Sequence, residues 1–279
     1  METRYTLDSK DRIRIWNCWA GESNGIFGIF SQDGIDGGKM KDPVFKKATE
    51  KNVGKANYIS AEEQSHLMVE QAVGKKERNN YFSTKEDARN NKAFRPMLAH
   101  KYEDKFKKMG FPVVAQPKLD GARCNAMWKD GRVVLYSRTG KEFVSCPHIS
   151  AALHKILSNN QTLILDGELY NHELRNDFEE IMSLIRQTKP HEIDFERSAA
   201  LVQFHVYDCY LTDAPEMDFL DRGFLVGRIP MGYDDTPIKY VETVSVGDQE
   251  ELDELYAIWT DRGYEGQMVR GEKSVYKVD

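Results

Sequence analysis

The sequence predicts an α+β fold. Two observations carry this. Segments of period-2 hydrophobic alternation are interleaved with segments of helical period. The two kinds do not alternate strictly as strand–helix–strand, which disfavours a doubly wound parallel sheet. A chain of 279 residues, 40% hydrophobic and 30% charged, with 13 Phe, 13 Tyr and 4 Trp, has enough apolar material for one large domain or two modest ones.

The elements follow in order. Arg12-Ile13-Arg14-Ile15-Trp16 alternates as a half-buried strand does, and Gly25–Phe30 offers a second strand. Asp33-Gly34 and Asp36-Gly37-Gly38 read as turns. Ser60-Ala61-Glu62-Glu63 matches a capping box and predicts a helix from Ser60 to about Gly74, with Leu67, Met68, Ala72 and Val73 on its inner face. The polar stretch from Lys75 to Lys92 reads as a connection. This part is a small β-rich module closed by a helix.

A second pattern starts near Phe94. Tyr102, Phe106 and Met109 keep helical spacing, and Gly110 ends that helix. Pro112–Gln116 is a short strand, and Asn125–Arg138 a hairpin turning at Asp130-Gly131. Ile149, Leu153 and Ile156 mark a helix. Leu163–Tyr170 is a strand interrupted by Asp-Gly-Glu. Phe178, Ile181, Met182 and Ile185 share a helical face, and Leu201–Leu211 is a long strand. Leu252, Leu255, Tyr256 and Trp259 define a last helix closed by Gly263, and Gln267–Arg270 is the final strand.

Composition excludes several classes. No apolar run approaches the ~20 residues of a membrane span, and Met1–Asp8 lacks the apolar core of a signal peptide. Cys18, Cys124, Cys146 and Cys209 form no Cys-x-x-Cys pair, so a zinc ribbon is excluded and reduced thiols in a cytoplasmic setting are expected. His172-Glu173 is followed by Asn176, not the second histidine of a zinc protease helix, and no P-loop occurs. The net charge of −6 conceals an asymmetry. Residues 1–110 carry 21 Lys/Arg against 16 Asp/Glu, and residues 111–279 carry 18 against 29. Whole-chain charge is therefore a poor guide to the partner.

The segment Gln116-Pro117-Lys118-Leu119-Asp120-Gly121-Ala122-Arg123 is the sharpest chemical signal. A lysine leaving a strand into a glycine turn presents an amine at the mouth of a pocket. By itself it also reads as a surface turn. Ser137-Arg138-Thr139-Gly140, Asp166-Gly167-Glu168, Phe204-His205-Val206-Tyr207-Asp208 and Glu265-Gly266-Gln267-Met268-Val269-Arg270 follow in order. Each has an ordinary reading of its own: a solvated arginine, glutamates at turns, a core tyrosine.

Taken together these segments resemble the ATP-dependent DNA ligases of the covalent nucleotidyltransferase superfamily, over roughly residues 94–276. Arg95-Pro96-Met97-Leu98-Ala99 is similar to the family's lead-in, and Asp166–His172 looks ligase-like beyond the bare motif. The resemblance implies an ATP-grasp-like adenylation domain with antiparallel sheets and flanking helices. It implies a lysyl-AMP on Lys118, transfer of AMP to a 5′-phosphate at a nick in duplex DNA, and sealing by the 3′-hydroxyl. It assigns Gln116, Pro117, Leu119, Arg123, Glu168 and Tyr207 to the nucleotide: Arg123 to the ribose, Tyr207 to stacking on adenine. Glu168 and Glu265 become the carboxylates for Mg²⁺ or Mn²⁺, and Arg138 a contact to a nick phosphate. Gln116 stands where many relatives carry an acidic residue, and Tyr207 where many carry phenylalanine. Repair, replication and recombination of DNA are the pathways such an enzyme serves, in a bacterial or phage-infected cytoplasm. RNA ligases and capping-type nucleotidyltransferases share the Lys-x-x-Gly chemistry; Asp120, Ser137–Gly140 and Asp166–His172 favour the DNA branch. A non-catalytic nick- or end-binding protein is the reading from another class.

The first module is similar to a WGR-type domain, a kind found in some phage-type ligases and associated with nucleic acid. This rests on the Arg12–Trp16 strand, Lys51–Asn57 and Glu62-Glu63-Gln64. Lys46, Lys47, Lys51 and Lys55 are its candidate DNA contacts. The expected organisation is 1–82 for this module, 83–93 for a linker and 94–279 for the adenylation domain. After the Glu265 motif the family continues with a Lys-x-Lys motif and an oligonucleotide-binding barrel. Lys273 and Lys277 lie too close to Glu265 to be that pair. A partial gene product, a shortened chain, and a split gene whose C-terminal ligase fragment is a partner are the three expectations.

Overall fold

The structure is a computed structural model that describes every residue except 9, 92–93, 106–109, 230–235 and 279. Two compact units are present: residues 1–94 with 139–141, and residues 95–138 with 142–279.

The first unit is built on a four-stranded antiparallel sheet in the order β1-β2-β3-β4 (Glu2–Leu7, Ile13–Ser23, Ile26–Ile35, Val44–Lys47). Asn24 and Gly25 have φ of 52° and 75°, the left-handed pair that a two-residue hairpin turn needs between β2 and β3. Helix α1 (Ala61–Glu77) starts at the capping box: the Glu63 amide donates to Ser60 Oγ at 3.2 Å, and the Ser60 amide to Glu63 Oε2 at 2.9 Å. Its Met68, Val69, Ala72 and Val73 pack on Trp16, Cys18 and Ile29.

Three expectations are corrected in this unit. Leu67 lies off the inner face and is exposed, because the stripe runs through Ser65, Met68, Val69 and Ala72 at spacings of three and four. Asp33-Gly34 lies within β3, not at a turn. Asp33 is held there by Arg14 and Lys41, and a Cβ at Gly34 would stand 2.9 Å from Met40 Cα, so glycine marks a close strand approach. The polar stretch after Gly74 is also partly ordered: α1 runs on to Glu77, and Thr84 caps a short helix α2 (Lys85–Asn90) that buries Ala88.

The second unit holds a five-stranded sheet and a three-stranded sheet. The strands are β5 (Val113–Lys118), β6 (Ala122–Lys129), β7 (Arg132–Ser137), β8 (Leu163–Tyr170), β9 (Gln203–Leu211), β10 (Ile238–Tyr240), β11 (Val244–Val246) and β12 (Gly266–Gly271). Their orders are β10-β9-β8-β6-β7 and β11-β5-β12. Every ladder is antiparallel except the short β9–β10 pair. The β6–β7 hairpin turns at Asp130-Gly131, with φ of 51° and 77°.

The expected helix through Tyr102 is present as α3 (Tyr102–Lys105); Phe106 and Met109 lie outside the described residues. Helices α4 (Pro147–Asn159), α5 (Phe178–Ile185), α6 (Phe195–Leu201) and α7 (Phe219–Arg228) flank the larger sheet, and α8 (Gln249–Asp261) the smaller. Ile149, Leu153, Leu157, Ile181 and Ile185 supply the helix side of the main core. Trp259, fully buried, anchors α8 on Val113 and Ala115. The four cysteines are free and buried.

Candidate functional site

Lys118 is the last residue of β5, and β6 begins at Ala122, so the turn between them crosses from the small sheet to the large one. Lys118 is opposite Gly266 on β12, and the Glu265 amide donates to the Lys118 carbonyl at 3.1 Å. The side chains meet as well: Lys118 Nζ is ion-paired with the Glu265 carboxylate. Both are more than a third exposed, so the pair is open to a solute.

The turn passes close over β8. A Cβ at Gly121 would lie 2.5 Å from the Leu169 carbonyl oxygen and 2.8 Å from Glu168 Cγ. Only glycine permits that approach, which brings the lysine turn beside Glu168.

The expected interruption of β8 is visible from one side only. Towards β6 its pairing is continuous, with Glu168 opposite Arg123. Towards β9 the register shifts between Asp166 and Gly167: Asp166 pairs with Asp208 and Gly167 with Val206, which leaves Tyr207 as the extra residue of a bulge. The bulge turns Tyr207 towards β8, where its hydroxyl donates to Glu168 Oε2 over a long 3.5 Å. The Arg123 and Arg270 guanidinium carbons stand 6.0 and 5.7 Å from its ring centroid. Burial, and next the charge of Asp166, push the Glu168 carboxyl up to about 8, against the opposing pull of Arg123 and Lys118. Burial also holds the Tyr207 phenol well above its usual range.

Two buried carboxylates frame this group. Asp166 accepts from Arg123 Nε (3.0 Å) and Nη2 (2.7 Å), from Asn125 Nδ2 (2.9 Å) and from the Tyr276 hydroxyl (2.6 Å). Arg123 Nη1 donates to the Met97 carbonyl at 2.7 Å. The Arg123 guanidinium, expected at the ribose, is thus held by protein groups on all three of its nitrogens. Asp208 accepts from Arg222 Nε (2.8 Å) and Nη2 (3.1 Å), and Arg222 Nη1 reaches the carbonyls of Met217 and Ser274.

Gln116 is buried. Its Nε2 donates to the Tyr207 carbonyl and to Thr243 Oγ1, each at 2.9 Å, and its Oε1 accepts from Arg270 Nη1 at 2.5 Å. An ionised carboxylate could not donate to that carbonyl; the amide matches a carbonyl, a hydroxyl and a guanidinium at once. Pro117 faces Gln267 across the ladder, and Leu119 is half-buried in the turn.

Lys118, Arg123, Glu168, Tyr207 and Glu265 therefore converge at the junction of the two sheets. Arg138 is exposed in the turn after β7. Lys46 and Lys47 are exposed on β4, and Lys51 and Lys55 on the segment before α1, all in the first unit. Sequence reasoning did not single out Arg222, Tyr276, Asn125 or Thr243. A charge in the apolar strand Phe204–Cys209 could have flagged Asp208; nothing local pointed to Arg222. Among the described residues no group of three or more His, Cys, Asp or Glu is placed to hold a metal ion.

Residues 96–279 match the family described as "ATP dependent DNA ligase domain". The chain belongs to the ATP-dependent DNA ligase family. A DNA ligase of African swine fever virus (isolate Tick/South Africa/Pretoriuskop Pr4/1996) is 30% identical over 258 residues, 89% of this chain and 58% of that protein. A DNA ligase of Enterobacteria phage T6 is 25% identical over 216 residues, 62% of this chain and 44% of that one. The chain thus spans a little over half the length of these African swine fever virus relatives. Among solved structures, Pmar-Lig_PreS3 has a TM-score of 0.57 at 21% identity, covering 79% of this chain and 50% of that one. A Lig E DNA ligase has a TM-score of 0.52 at 22% identity, covering 66% and 64%. At those identities the likeness is one of fold, and it agrees with the α+β adenylation-domain architecture that the sequence predicts.

Proposed function

We propose that this chain carries the adenylating centre of an ATP-dependent DNA ligase that seals nicks in duplex DNA. The observation that supports this best is the Lys118–Glu265 pair at the junction of the two sheets, with Glu168 beside it across the Gly121 turn.

Lys118 Nζ is the nucleophile. It must lose a proton first, and nearby cations or partial desolvation favour that loss. The amine then attacks the α-phosphate of ATP: an N–P bond forms, the bond to pyrophosphate breaks, and AMP stays on the lysine. The 5′-phosphate of a nick takes the AMP, and the 3′-hydroxyl displaces it to join the strand. Tyr207 stacks on the adenine, Gln116, Pro117 and Leu119 border the base, and Arg123 orients the ribose side. Arg138 contacts a phosphate of the nick.

Glu168 and Glu265 are the groups to hold Mg²⁺ or Mn²⁺. The fit rests on Glu168: burial and a second carboxylate make its charge costly, and a cation offsets that cost. Two carboxylates suffice for an ion that keeps waters and takes phosphate oxygens as ligands. When bound, the ion supplies countercharge for the phosphates.

The basic segment 39–55 carries six lysines against Asp42 and Glu50, and Lys46, Lys47, Lys51 and Lys55 are exposed. This supports residues 1–82 as a WGR-like module that contacts the DNA backbone; residues 83–93, expected as a linker, include α2, which buries Ala88 within the first unit. No helix among the described residues is long and apolar enough to cross a membrane, and the four free thiols suit a cytoplasmic setting.

Incubation with labelled ATP and Mg²⁺ tests the reading. Covalent AMP is expected on Lys118 and absent from Lys118→Ala; labelling that survives the substitution refutes it. Sealing of nicked DNA, measured with and without a separately supplied C-terminal ligase fragment, tests the later steps.

A further inference from the structure

Glu265 lies just outside the β5–β12 ladder, between the end of α8 and the first residue of β12. Its side chain is 47% exposed, and its carboxylate is tied to Lys118 by an ion pair that water competes for. The Glu265 amide is tied to the Lys118 carbonyl at 3.1 Å, and a neighbouring side chain adds a further anchor.

The preceding residue supplies it. The Tyr264 ring stacks on His172, with centroids 4.3 Å apart and planes 26° from parallel. His172 follows the end of β8, so the stack joins the strand of Glu168 to the segment of Glu265, one sheet to the other. His172 is itself held: the Tyr170 hydroxyl is 2.8 Å from its Nδ1, and Arg175 Nη1 donates to its carbonyl at 3.1 Å. Gly263 has φ of 88°, and a Cβ there would stand 2.7 Å from Arg175 Nε. Tyr170 packs edge-on against His205 from behind, at 5.3 Å.

We infer that His172 is a positioning residue: its stack on Tyr264 fixes the Glu265 carboxylate against Lys118 and in register with Glu168. His172 touches none of the reacting groups and acts through Glu265. The inference rests on the reading of Lys118 as the nucleophile for its catalytic meaning, but the geometry it asserts can be tested without ATP, metal or DNA.

The test is the rate at which an amine-acetylating reagent modifies Lys118 in the full chain, followed by peptide mass spectrometry against an exposed lysine such as Lys46. Glu265→Gln removes the countercharge and should speed acetylation of Lys118 by about threefold or more. His172→Ala should do the same, His172→Phe should stay near the parent rate because a flat ring remains, and His172→Ala with Glu265→Gln should not exceed Glu265→Gln alone. Tyr264→Leu should match His172→Ala, which covers the case in which one variant does not fold; thermal melts identify that case. A parent rate in both His172→Ala and Tyr264→Leu, or additive effects in the double variant, overturns the inference. With ATP and Mg²⁺, His172→Ala should lower the rate of lysyl-AMP formation more than it raises the KM for ATP. If the parent chain forms no lysyl-AMP, the proposed function fails while the acetylation pattern still decides the role of His172.

Discussion

Lys118 and Glu265 are joined twice across the β5–β12 edge, by a backbone hydrogen bond of 3.1 Å and by the ion pair of their side chains. The backbone bond belongs to the fold; the ion pair is solvent-facing and contributes little to it, about 0–1 kcal/mol for pairs of this kind. Glu265→Ala should therefore leave stability in urea unfolding within that margin while weakening Mg²⁺-dependent adenylation. Unchanged Mg²⁺ dependence with normal lysyl-AMP formation would argue against the ligand role.

The Asp208–Arg222 pair is the opposite case. Both side chains are almost fully buried, and Arg222 also holds two carbonyls. Arg222→Met strands Asp208 in the interior and should cost about 3–5 kcal/mol in urea unfolding. Replacing Asp208 with leucine in that background should recover part of the loss. A loss under about 1 kcal/mol would show that water or Arg270 replaces the guanidinium.

Tyr207 separates stacking from hydrogen bonding. Its bond to Glu168 is long, so Tyr207→Phe should adenylate nearly as well as the parent. Tyr207→Ala should raise the ATP concentration needed for half-maximal labelling by about tenfold, the lower range of aromatic–base stacking. Equal behaviour of the two variants would remove Tyr207 from the adenine site.

His205 sets an acid-side dependence. Burial first, and then the charges of Lys239 and His172, bring its imidazole down from 6.5 to about 4. Above pH 6.5 it is neutral in both states and adds no pH dependence. As the pH falls from 6.5 towards 4, the unfolded chain takes up the proton first, and stability drops, by up to about 3 kcal/mol. Urea unfolding between pH 4 and 7 should show this slope, and His205→Asn should flatten it. An identical slope in the variant would place the effect elsewhere.

In the first unit, replacing Lys46, Lys47, Lys51 and Lys55 with alanine should weaken binding to nicked duplex DNA. The slope of log affinity against log salt should shrink by about 0.9 for each DNA phosphate that a lysine no longer neutralises. Fluorescence anisotropy at several salt concentrations reads this directly. An unchanged slope would return these lysines to the role of a solvated face.

Strong local signals were legible in the sequence. The capping box at Ser60, the Asp130-Gly131 turn, and the Ile149 and Phe178 helices appear where periodicity places them. The ordered motifs pointed to the ligase family. Less legible were β1, β4, β10 and β11, which are short or edge strands with little pattern of their own. Helix α7 was also missed; its inner face includes Arg222, a charge that breaks an apolar pattern and is buried only because Asp208 meets it.

The amino-acid sequence by itself determined which chemistry is present: a lysine in a glycine turn, the carboxylates of Asp166-Gly167-Glu168 and Glu265, and an aromatic within a strand. Local spacing carries that information because each motif is a few consecutive residues. Only the tertiary structure decided which groups meet. The bulge at Tyr207, the approach at Gly121, the closure of Arg123 on Asp166 and the His172–Tyr264 stack each depend on how segments distant in sequence are set against one another. A register shift of one residue turns a side chain to the other face of its sheet, and no local pattern encodes that choice.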